Sequence, residues 1–151
     1  MSLFFKHLSK SLEGHDAVIS LANGFIDRGW ESYRHRFESK DFPSRKRTFD
    51  KPRLEELEHA EGKKILIWAE QGLGDELMFL NLAKYFQKST NCEYIIEGSL
   101  RLTSLMKRSF PDADVRIPNY DPVSDTMSTT ATNFDYHIFN VNKKNFLISE
   151  N

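Results

Sequence analysis

A single cysteine, Cys92, in 151 residues removes any internal disulfide framework. Its neighbours Asn91 and Glu93 do nothing to activate the thiol, and a reducing compartment fits best. Neither sign of charge prevails. The 21 Lys and Arg against 22 Asp and Glu are spread along both halves, so no basic field exists to hold a phosphate backbone, and nucleic acid is not expected as a partner. Long apolar runs are missing too. The patch Leu3–Phe5 is too short for a signal-peptide core and is followed by Lys6, His7 and Lys10, while every other run falls well short of the ~18 residues of a membrane span. A soluble, cytoplasmic protein without a membrane span is the expectation. What is present is material for a core. An aromatic content of 13% is far above that of a solvated tail, and the length suits one domain with a short satellite, able to fold without staples.

Three zones separate by pattern. Residues 1–39 carry apolar residues at helical spacing, broken at Asn23-Gly24; Phe25, Ile26, Trp30, Tyr33 and Phe37 fall on one face, opposite Asp27, Arg28, Glu31, Arg34 and Glu38. This predicts a helical hairpin with an apolar side. No repeat of 20–50 residues is visible, so the hairpin is at most one unit of a helical array. Residues 40–62 mix Pro43, Pro52, the basic trio Arg45-Lys46-Arg47 and the acidic stretch Glu55–Glu61, which predicts a surface connection with one helical turn near Leu54–His59 and the trio as a solvated loop. Residues 63–151 alternate strand and helix signals. Ile65–Trp68, Tyr94–Ile96, Val115–Ile117 and Phe134–Val141 read as strands. Leu77–Phe86, closing near Ser89, and Leu100–Phe110 read as helices, with a polar stretch at Asn119–Asn133. The expected class is α/β: a Rossmann-like parallel sheet of about four strands with flanking helices, preceded by the helical hairpin.

The stretch Glu70-Gln71-Gly72-Leu73-Gly74-Asp75-Glu76 falls where the first strand hands over to the first helix, the carboxyl edge at which open α/β sheets bind ligands. Glu70, Gln71, Gly72 and Gly74 are therefore candidate substrate-binding residues, with two glycines allowing close backbone approach and a helix start offering free N–H groups. A phosphate loop would need Gly-Lys-Ser/Thr, but Asp75 and Glu76 follow Gly74. A dinucleotide turn would need a glycine at Leu77; only Glu97, near the end of the second strand, matches the ribose-binding acid of such folds. Asp75 has two readings, a general base toward a bound hydroxyl, worth roughly 10²–10⁴ in rate, or a helix cap. The histidines at 7, 15, 35, 59 and 137 lack metal-ligand spacing, and no metal site is expected. His137 is either a sheet histidine or a group pointing to the same edge. Trp30 and Tyr33 read as packing, and Arg101 as solvated.

Gly29-Trp30-Glu31-Ser32-Tyr33-Arg34-His35-Arg36-Phe37, then Gly62–Ile67, then Glu70–Asp75 with Phe79 following, resemble bacterial tetratricopeptide-repeat proteins that carry a glycosyltransferase-like carboxyl-terminal region. There the last repeat helix bears a "GW..YE.R" pattern, and an "EQG.GD" signature opens the first Rossmann-like half of a GT-B fold. The resemblance covers roughly Asn23–Asn142. It implies inverting sugar transfer from a nucleotide-activated donor to a hydroxyl acceptor, related to the heptosyltransferases and more distantly to the O-linked N-acetylglucosamine transferases. It also implies Asp75 as catalytic base. Asp135-Tyr136-His137 resembles a later strand start of the same family and implies His137 near the acceptor. No separate cofactor is implied. A GT-B enzyme carries a second Rossmann-like domain, and this sequence stops at Asn151. The chain is thus expected to be a fragment or reduced form, the acceptor-side half, inactive alone.

Two alternatives stand beside that reading. One is a protein-interaction module without catalysis. The other is a small nucleotide-binding oxidoreductase, resting on Glu97 and the two glycines. A truncated sheet exposes strand edges and apolar faces, so a homo-oligomer is expected in the first two cases.

Overall fold

A computed structural model describes residues 16–33, 35–36, 47–70 and 72–139. They fall into two units, one helical and one α/β. In the helical unit, residues 16–22 (α1) and Ile26–Tyr33 (α2) are joined by a turn at Asn23-Gly24. Gly24 sits at φ +81°, a left-handed conformation that a residue without a Cβ adopts freely. The two helices pack closely because Gly29 has no side chain: a Cβ there would lie 2.6 Å from Leu21 Cγ. Arg28 donates to both carboxylate oxygens of Asp16, at 2.9 and 3.1 Å from Nη2, tying one helix to the other at the surface. Trp30 and Tyr33 meet edge to face at 5.5 Å, and the Arg36 guanidinium lies 4.3 Å from the Tyr33 ring centre. The apolar side differs from the sequence reading. Phe25 and Ile26 are exposed with Val18 and Ile19, and Gly29 is the buried residue of α2. Phe37 lies outside the described residues.

In the α/β unit the strands Lys64–Trp68 (β1), Glu93–Glu97 (β2), Asp114–Arg116 (β3) and Tyr136–Phe139 (β6) form one parallel sheet in the order β3-β2-β1-β6. The continuous apolar run of β1 is explained by burial on both faces: Ile65, Leu66, Ile67 and Trp68 are all buried. On one face Ile65, Ile67, Tyr94, Ile96 and Ile138 meet Ala83 and Phe86 of the helix Leu73–Ser89 (α3), with Met106 of Thr103–Ser109 (α4) and Phe110. Side-chain alternation and the register put Leu66, Trp68, Ile95, Glu97 and His137 on the other face.

Three features depart from expectation. The second helix divides into a 3-10 turn, Leu100–Leu102, and α4. The polar stretch holds an antiparallel hairpin, Asn119–Asp121 (β4) with Thr126–Ser128 (β5). It closes where Asp121 accepts the Val123 amide at 2.9 Å and Asp125 adopts φ 50°. Most of its residues are exposed, so no apolar alternation betrays it. The third departure concerns residues 47–62, read as a surface connection, which belong to the α/β unit. Leu54 and Ala60 are fully buried, and the Leu54 amide donates to His137 O at 2.9 Å while the His137 amide donates to Pro52 O at 3.1 Å. The segment thus extends the sheet along the free edge of β6, covering an edge expected to be open.

Candidate functional site at the carboxyl edge of the sheet

From β1 the chain builds outward through β2 to β3, and β6 is then added on the other side of β1. The carboxyl ends of β1 and β6 therefore flank a topological switch point, the position at which open α/β sheets bind ligands. The loop after β1 stands there. Glu70 is half-buried, Gln71 lies outside the described residues, and Gly72 is the N-cap of α3 with no side-chain cap. The N-cap position falls to Gly72 and not to Asp75, which is the third residue of the helix, in its first turn, while the Gly72 carbonyl accepts the Glu76 amide at 3.0 Å. Asp75 is half-buried in that first turn, where the unpaired amides favour an anion. A Cβ built on Gly72 or Gly74 meets nothing within 4 Å, so neither glycine is demanded by crowding inside the fold.

Glu76, the adjacent carboxylate, turns inward. It is buried and accepts the Ser99 amide at 2.7 Å, which ties the start of α3 to the loop after β2. Burial pushes its carboxyl above the usual range, with the Ser99 hydrogen bond pulling partly back. Gly98 keeps this contact possible, since a Cβ there would run into the Glu76 carboxylate and the Met106 methyl.

A second cluster occupies the opposite face. Glu97, at the end of β2, has a side chain with no solvent exposure and is ion-paired with Arg47. Its Oε1 accepts Thr129 Oγ1 and the Thr130 amide, both at 2.7 Å, and Thr130 Oγ1 at 3.1 Å. The Arg47 guanidinium lies 5.2 Å from the Phe49 ring centre and 5.0 Å from that of Trp68. Trp68 Nε1 donates to His137 Nδ1 at 3.2 Å, and the imidazole stacks on Phe49 at 4.1 Å. His137 is thus committed to Trp68 and Phe49, whereas Glu70, Gly72, Gly74 and Asp75 share one turn of chain. The basic trio is expected to be a solvated loop, but the Arg47 side chain is buried against Glu97. No spacing rule connects positions 47 and 97, and the only local hint was the basic trio itself; Arg45 and Lys46 lie outside the described residues.

Burial, with Arg53 and Arg47 nearby, lowers the His137 pKa from 6.5 to about 4. The imidazole is neutral in the folded protein near pH 7, and unfolding takes up a proton once the pH falls below 6.5. The ring's contribution to stability is therefore complete above about pH 6.5 and is lost as the pH drops toward about 4. Discounted for partial exposure, the loss is on the order of 1–2 kcal/mol. The His137→Gln variant should show a flatter decline in urea midpoint across that window than the parent. An equally steep profile would place the acid sensitivity elsewhere.

A cavity of about 170 Å³ opens between α3 and α4, with Leu77, Leu80, Leu105 and Phe110 among its walls. No candidate site residue lines it. Among the described residues no helix is long and apolar enough to cross a membrane, and no group of three or more His, Cys, Asp or Glu is placed to hold a metal ion.

Fold and loop together define an α/β domain with a parallel four-stranded sheet and a glycine-flanked carboxylate beside its switch point. The chain is similar to protein FlbA of Caulobacter vibrioides, with 33% identity over an alignment of 107 residues that covers 66% of this chain and 17% of that protein. The chain thus spans about a sixth of the length of the curated relative it matches. No family model matches it. No solved structure matches it either.

Proposed function

We propose that the α/β unit is the acceptor-side half of a GT-B-type glycosyltransferase, in which Asp75 takes the proton from an acceptor hydroxyl as that oxygen attacks the anomeric carbon of a nucleotide-activated sugar and the bond to the nucleotide phosphate breaks, releasing the nucleotide. The observation that supports this most is the placement of Asp75. It lies in the first turn of the helix beside the switch point, is not the N-cap, and is preceded by two glycines whose missing side chains leave open space. Glu70 and Gln71 would orient the acceptor from the same loop. A base so placed contributes roughly 10²–10⁴ in rate.

Asp75→Asn keeps the shape and removes the basicity. In the polypeptide translated from the whole reading frame, transfer from UDP-, GDP- or ADP-sugars is expected to fall by roughly 10²–10⁴, with the melting temperature unchanged. Unchanged turnover with a lowered melting temperature would reduce Asp75 to a partner of the helix dipole. In the 151-residue chain, these sugars should give no thermal shift if donor binding needs a second domain.

The interaction-module reading draws on a different observation, the exposed Val18, Ile19, Phe25 and Ile26 of the helical unit. The oxidoreductase reading loses ground, because the Glu97 carboxylate it relied on is already bonded by Arg47, Thr129 and Thr130.

A further inference from the structure

The cluster around Glu97 takes no part in the chemistry assigned to Asp75, and it has the composition of a recognition site. Glu97 is held in orientation without help from Arg47, because Thr129 and Thr130 supply three hydrogen bonds to its Oε1. Its other oxygen faces a guanidinium that lies against the adjoining Phe49 and Trp68 rings, whose centres are 5.2 Å from each other. A fixed carboxylate beside the Trp68 ring is complementary to a planar, delocalised cation in charge and in shape.

The occupant, by contrast, is imperfectly bonded. Arg47 has a side chain only 1% exposed, and its Nη2 reaches Glu97. Its Nε and Nη1 find no hydrogen-bond partner. Occupant and carboxylate also come from different elements: Glu97 belongs to the sheet, whereas Arg47 belongs to the 47–53 segment, joined by isolated bridges at Arg47–Met127 and Arg53–His137. A guanidinium bonded through one nitrogen is replaceable by one that donates to Oε2 through two, Oε1 being held by the threonines.

We propose that Glu97 and Trp68 form a guanidinium-binding seat at the carboxyl edge of the sheet, filled from within the chain by Arg47. The ligand class is an arginine side chain of another polypeptide, which takes the seat when residues 47–53 lift. The seat is independent of the role given to Asp75.

The test uses the whole chain with Arg47→Ala and methylguanidinium chloride as probe, against sodium chloride at equal ionic strength. A saturable rise in melting temperature at millimolar probe is expected in Arg47→Ala, with none in the parent and none in Arg47→Ala combined with Glu97→Gln. A folded Arg47→Ala that ignores the probe overturns the proposal, as does an equal response in the double variant. If Arg47→Ala is unfolded, the same titration is read as recovery of circular dichroism: recovery supports the seat and its absence overturns it. In the parent, N-acetylarginine methylamide is expected to speed amide hydrogen exchange at Leu54 and His137, which hold the segment to β6. Unchanged exchange would leave Arg47 a fixed structural ion pair and remove the ligand.

Discussion

Glu97→Ala is expected to destabilise the protein by about 3–5 kcal/mol, because it strands a buried guanidinium without its counter-charge. The donors of Thr129 and Thr130 lose their acceptor in the same step. Against a total stability of about 5–15 kcal/mol, that is a large share. The opposite truncation, Arg47→Ala, should cost less, since the Glu97 carboxylate keeps its three threonine hydrogen bonds. Replacing both partners together, as Arg47→Met with Glu97→Leu, should recover much of the loss, because the cost lies in the unpaired charge more than in the absent attraction. Urea unfolding of the two single variants and the double variant gives the coupling directly. Two singles of equal, small effect would mean that the pair is solvated. The exposed pair of Asp16 and Arg28 provides the contrast, at no more than about 1 kcal/mol.

Phe86→Ala is the second large effect, about 3–5 kcal/mol. Phe86 is fully buried in α3 and packs in the cluster that joins the helices to Ile65, Ile67 and Ile96 of the sheet. Truncation removes a ring from a close-packed layer whose neighbours are held by β1 and β2, so little collapse can fill the void. The melting temperature should fall by roughly 10 °C. The neighbouring substitution Leu77→Ala, at a site 40% exposed, should stay within about 1 kcal/mol. A loss at Leu77 as large as that at Phe86 would mean that the outer surface of α3 is covered in solution.

The elements legible in the sequence were those whose burial leaves a period or a run. β1 and β2 announced themselves through Ile65–Trp68 and Tyr94–Ile96, and α3 through its apolar spacing up to Ser89. The turn at Asn23-Gly24 was legible because a left-handed residue calls for glycine. What stayed hidden had no such mark. The hairpin β4–β5 buries too little to alternate, and the 47–54 segment joins the sheet through hydrogen bonds of its backbone, to which the side-chain pattern is blind.

The amino-acid order alone determined the α/β class, the sequence of strands and helices, and the position of Asp75 beside a strand-to-helix turn, because local periodicity and turn chemistry act over a few residues. Tertiary structure decided the rest. It assigned the cap of α3 to Gly72, turned Glu76 inward to Ser99, and joined Arg47 to Glu97 across fifty positions. Such pairings depend on which faces the sheet brings together, and charges distant in sequence acquire their partners only when the intervening chain has folded and water has been removed from between them.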